Sequence, residues 1–112
     1  MTVYAVQQQL RFDQSQRKLV PKFNSIEKAN KWGRIAYILS PSANPFHPEN
    51  ALGDIHNALH KFSDEDHLLL IGNPCLIGMC TAVAASQNEG RVKFLQWSGT
   101  NSEYVEIITQ IF

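Results

Sequence analysis

The chain predicts a small α/β fold: a Rossmann-like sandwich in the order ββαβαβαββ, with parallel central strands and antiparallel edge strands. Three apolar runs carry this expectation, Ile35-Ala36-Tyr37-Ile38-Leu39, Leu68-Leu69-Leu70-Ile71 and Val92-Lys93-Phe94-Leu95. Each stops abruptly at small polar residues: Ser40-Pro41-Ser42-Ala43-Asn44, Gly72-Asn73-Pro74-Cys75, and Gln96-Trp97-Ser98-Gly99-Thr100. Helical patterns separate the runs, and parallel strands joined by helices place all such strand ends on one edge of a sheet.

The elements follow in order. Tyr4, Val6, Leu10 and Phe12 alternate with polar neighbours, as in a half-buried strand, and Asp13-Gln14-Ser15-Gln16 is a turn. Leu19 to Phe23 then pairs back as a hairpin, with Pro21 marking an edge strand. Asn24 or Ser25 caps a short helix to Trp32, and Gly33 suits a left-handed stop. The run at Ile35 is the next strand. A helix from Pro48 to about Phe62 carries the stripe Leu52, Ile55, Leu59 and Phe62. A helix from Pro74 to Ser86 is apolar nearly all round and should be the most enclosed, its Gly78 and alanines implying a close backbone approach to the sheet. After Asn88-Glu89-Gly90 come a strand from Arg91 to Gln96, a turn, and a β-branched strand from Tyr104 to Ile111.

With 112 residues, the chain has room for one hydrophobic core, so residues 1–112 form a single domain. Apolar residues at 44% and charged residues at 18% leave no segment polar enough for disorder. Ten basic and ten acidic residues cancel, which argues against general nucleic-acid binding because that depends on phosphate attraction. No stretch approaches the roughly 20 apolar residues that span a bilayer, and the first residues lack the pattern of a secretory signal. Cys75 and Cys80 sit on different faces of one helix, reduced, as in a cytoplasm.

Ser40-Pro41-Ser42-Ala43-Asn44-Pro45-Phe46, Leu68 through Gly78, and Leu95-Gln96-Trp97-Ser98-Gly99 together resemble a family of small conserved proteins from tailed phages of marine bacteria and cyanobacteria. No activity is attached to that family, so the resemblance implies a viral origin and the cytoplasm of an infected bacterium, not a mechanism. Members often carry basic residues after the Trp-Ser-Gly turn. Thr100-Asn101-Ser102 stand here instead, which weakens any anion-binding role for the turn.

The expected site gathers Ser40, Ser42, Asn44, Asn73, Gln96, Trp97 and Ser98 at the carboxyl edge of the sheet, where open α/β folds bind ligands. These neutral hydrogen-bonding groups, with Trp97 or Phe46 to stack, suit a base, ribose or amide better than a bare polyanion. The same residue types also cap helices and make turns. The expected function is therefore non-catalytic binding of a nucleotide-like small molecule or a host protein. One alternative is a small hydrolase or transferase with Cys75 as nucleophile at a helix start and His47 as its base. Another is a structural homodimer built through the strand Val105–Ile111. His56 and His60 have a spacing that can present two nitrogens to a metal but lack a third ligand, so no metal and no cofactor is expected. Dinucleotide, triphosphate and serine-hydrolase motifs do not occur.

Overall fold

In the computed structural model, all residues 1–112 are described. Ten elements follow one another: β1 (Thr2–Gln7), β2 (Leu10–Asp13), β3 (Lys18–Pro21), a 3-10 helix (Asn24–Trp32), β4 (Arg34–Leu39), α1 (Pro48–Leu59), β5 (His67–Leu69), α2 (Pro74–Gln87), β6 (Arg91–Ser98) and β7 (Glu103–Gln110). The main sheet has the order β4-β1-β5-β6-β7. Its first four strands run parallel and β7 pairs antiparallel with β6, so the α/β class holds.

The edges differ from the sequence expectation. The first strand breaks at Gln8-Gln9, and the hairpin β2-β3 forms its own two-stranded sheet outside the main one. β1 is consequently central, with Val3, Ala5 and Val6 fully buried, and parallel β4 rather than the hairpin forms the far edge. The helix expected after Asn24 is a 3-10 helix. Ile26 and Ala29, its buried residues, stand three apart, the repeat of that tighter helix. Gly33 ends it with φ 145°, a positive angle that favours glycine, and a Cβ there would lie 2.8 Å from the Met1 carbonyl oxygen.

Each face of the sheet has its own core. On one, α1 and α2 pack Ala51, Ile55, Leu59, Leu76, Cys80 and Ala84 against Val6, Ile38, Leu39, Leu68 and Val92. Fully burying side chains of the Ile55 and Leu59 kind stabilises by about 1.5–3 kcal/mol each. On the other, the 3-10 helix packs Ile26 and Ala29 against Val3, Ala5, Leu69, Leu95 and Tyr104. α2 is less enclosed than its composition implies. Cys75, Gly78 and Ala82 are exposed, and a Cβ built on Gly78 meets nothing, so this glycine faces solvent rather than the sheet.

Candidate functional site

Because β4, β1, β5 and β6 run parallel, the chain after Leu39, Gln7, Leu69 and Ser98 leaves the sheet at one edge. The Ser40 and Gly72 loops are not neighbours there, since β1 lies between their strands. Gln7, at the end of β1 and 4% exposed, fills the gap. Its Nε2 donates to the carbonyls of Ser40 at 3.2 Å and Ala43 at 3.3 Å, and its Oε1 accepts from the Asn73 amide at 3.0 Å. Gly72 completes the closure. With φ +124°, it sits so close that a Cβ would lie 2.6 Å from the Gln7 Cβ. The space between the two loops is therefore filled by the chain's own amide side chain.

The residues expected at the site divide into separate groups. Ser40, Ser42, Asn44 and His47 line a hollow of about 230 Å³ with Asn50 and Asp54. Within it, the Ser40 and Ser42 hydroxyls pair at 3.0 Å and Asn44 Oδ1 accepts from the Phe46 amide, a turn-making bond. Asn73 Oδ1 caps α2, accepting from the Cys75 and Leu76 amides. Gln96 and Ser98 belong to β6, which runs on to Ser98 rather than ending at Gln96. Through the pleat they share a shallow surface with Val105 and Ile107, on the face opposite Leu95 and Tyr104. Trp97 alone of the group turns to the 3-10 helix face.

On that face, at the ends of β5 and β6, lies a hollow of about 430 Å³ lined by Gln9, Lys22, Phe23, Ser25, Trp97 and Tyr104, with Leu69 to Gly72 as its floor. Trp97 and Tyr104 meet edge to face, centroids 5.1 Å apart. Lys28 holds its ammonium 5.5 Å above the Trp97 ring and donates to the Ser102 carbonyl. The Lys22 ammonium lies 5.6 Å from the Phe23 ring centre. Burial raises the Tyr104 phenol above its ordinary range, with Ser25 pulling the other way, so the hydroxyl stays a neutral donor at physiological pH. The sheet order supplies the reason for the location. Counted within the main sheet alone, β1, β4, β5, β6 and β7 stand in the doubly wound order 2-1-3-4-5, whose chain direction reverses between β1 and β5. Gln9 and Leu69 to Gly72 flank that reversal. Sequence reasoning missed Gln9, Lys22, Phe23 and Ser25 because they lie in and after the hairpin, which looked like an edge decoration; the aromatic Phe23 beside Lys22 was the available signal.

A family model for the phage Pam3 gp32-like protein matches residues 1–111. The chain belongs to that family. The phage origin implied by the sequence resemblance thus stands for this gp32-like chain. No curated protein and no solved structure matches it.

The remaining candidates of the gp32-like chain are dispersed. Cys75 is exposed in the first turn of α2 and is not among the residues lining the His47 hollow. Cys80 is buried, its thiol pushed up to about 12 by desolvation. His60 Nδ1 lies 2.7 Å from the Asn57 carbonyl of its own helix, and no three His, Cys, Asp or Glu side chains gather to hold a metal. No helix is long and apolar enough to cross a membrane.

At the opposite end of the sheet, a cleft of about 450 Å³ carries Asp64, Asn88, Arg91 and Lys93. Arg91 Nε donates to Asp64 at 2.9 Å, so its charge is already matched. His67 is buried with Nε2 at 2.5 Å from Glu106. The first pair ties the Asp64 loop to β6, and the second ties β5 to β7 across β6, with His67 Nδ1 buried and without a hydrogen-bond partner.

Proposed function

We propose that this phage protein is a non-catalytic binding protein whose ligand is a flat, nucleotide-like small molecule, held in the hollow between Phe23 and Trp97. The observation that carries the reading is the coincidence of an aromatic-walled hollow with the strand-order reversal of the sheet, the position at which open α/β folds bind ligands. Phe23 and Trp97 offer ring faces for a base. Tyr104, Ser25 and Gln9 offer hydrogen bonds, and Lys22 offers a charge for a phosphate at the rim. The setting is the cytoplasm of an infected bacterium, a marine or cyanobacterial host by the sequence resemblance.

The start of α2 weighs against the alternative of Cys75 as a nucleophile. An anion or thiolate at Cys75 needs the free amides of the first turn, and Asn73 Oδ1 already takes those of Cys75 and Leu76.

A thermal-shift screen over nucleosides and nucleotides tests the reading. A ligand at a hundred times its dissociation constant adds about 2.7 kcal/mol, a shift on the order of 10 °C for a domain of this size. Trp97→Ala removes the shift if the hollow is the site. No shift with any nucleotide, or one that survives Trp97→Ala, overturns it.

A further inference from the structure

β7 carries a run of exposed apolar residues, and the backbone of its outer edge is open for pairing. The Ile111 amide donates inward to the Gly90 carbonyl at 2.7 Å, and Ile107 pairs opposite Phe94. By the alternation of an antiparallel ladder, odd-numbered residues of β7 bond to β6, whereas Tyr104, Glu106, Ile108 and Gln110 direct their N–H and C=O groups outward. Ile108 is 71% exposed, and Val105, Ile107, Ile111 and Phe112 are exposed as well. Free edges are ordinarily blunted by lysine, proline or a bulge, and residues 103–112 contain no Lys, Arg, Pro or Gly.

We propose that β7 pairs antiparallel with β7 of a second copy across a two-fold axis, joining the two five-stranded sheets into one. A two-fold axis normal to the sheet keeps like faces together, so odd residues must meet odd and even must meet even. Charge and strand overlap then select the register: an axis through Glu106 would set two carboxylates directly opposite, and one through Val105 or Ile108 would pair only residues 103–107 or 106–110 of the strand. With the axis at Ile107, the two Ile107 side chains meet each other, Val105 meets Thr109 and Glu106 meets Ile108, while Glu106 remains tied back to His67. The outward amides of Glu106 and Ile108 become a hydrogen-bonded pair, and so do those of Tyr104 and Gln110. A formal net charge of zero leaves no long-range repulsion between copies. The seam reaches the ligand hollow only at Tyr104, whose backbone would pair across it while Lys22, Phe23 and Trp97 stay outside.

Sedimentation equilibrium on the full chain tests it, with twice 12.7 kDa as the expected mass. Ile108→Pro deletes an outward donor without touching the β6 ladder and weakens self-association by at least about tenfold. In a Cys75→Ser background, Ile107→Cys oxidises to a covalent dimer, because a self-facing pair not bonded across the new seam brings the two thiols within disulfide reach; Val105→Cys does not. The register measurement decides the case if Ile108→Pro fails to fold. A wild-type monomer at about 100 µM overturns the proposal, since so weak an interaction would not hold two copies together. So does undiminished dimerisation of folded Ile108→Pro, or cross-linking through Val105→Cys rather than Ile107→Cys.

Discussion

Replacing Gln7 with leucine probes how the carboxyl edge of the sheet is held. Leucine preserves the bulk of the buried side chain but removes both polar ends. The Ser40 and Ala43 carbonyls lose a donor at 3.2 and 3.3 Å, and the Asn73 amide loses its acceptor at 3.0 Å. A single hydrogen bond contributes about 0.5–1.5 kcal/mol net, and a buried group left unpaired costs about 1–3 kcal/mol. The carbonyls can turn to water at the rim, whereas the Asn73 amide at the start of α2 is less able to. The expected loss is therefore about 3 kcal/mol, or a melting temperature lower by roughly 10–20 °C. Urea denaturation of wild type, Gln7→Leu and the exposed control Gln14→Leu measures it. The slope with urea should stay the same while the midpoint falls. A loss for Gln7→Leu below about 0.5 kcal/mol, or no larger than for Gln14→Leu, refutes the claim that this side chain joins the two loops, because even one net hydrogen bond should cost that much.

Two further predictions concern reactive and charged groups. Iodoacetamide should modify Cys75 alone in the folded protein and Cys80 only after denaturation, since Cys75 is exposed and the Cys80 thiol is buried with its pKa raised to about 12; mass spectrometry counts the adducts. The Arg91 and Asn88 hydrogen bonds hold the Asp64 carboxyl below its ordinary range. A depressed carboxyl stabilises above its unfolded pKa and loses that contribution as pH falls through the folded one, so Asp64→Asn should flatten the acid limb of stability below about pH 4 and change nothing in the slope near neutrality.

Local chemistry was legible wherever it involved neighbours in sequence. Asn73 before Pro74 was readable as a helix start, and the structure makes its side chain the cap. The three apolar runs were readable as parallel strands whose ends share an edge, because alternating strand and helix patterns leave few other arrangements.

Strand order was not legible. Nothing near Ser40 or Gly72 signals that β1 comes between them, since pairing of Thr2–Gln7 with both β4 and β5 is a contact across long stretches of chain. Gln7 looked like the polar side of an amphipathic strand for the same reason. Once β1 is central, both its faces are buried, and a glutamine at its end must satisfy loop carbonyls rather than water. The strand limit at Gln96 failed for a related cause. Pairing with β7 carries β6 on to Ser98, and the pleat then sends Trp97 and its two neighbours to opposite faces.

Nucleotide binding in the hollow beneath the hairpin is measured most directly by amide chemical-shift mapping during titration with nucleotides. Shifts concentrated at Lys22, Phe23, Ile71, Gly72 and the Trp97 indole, and lost in Trp97→Ala, are the predicted result. Shifts centred instead on Ser40, Ser42 and Asn44, or none at millimolar nucleotide, would contradict it.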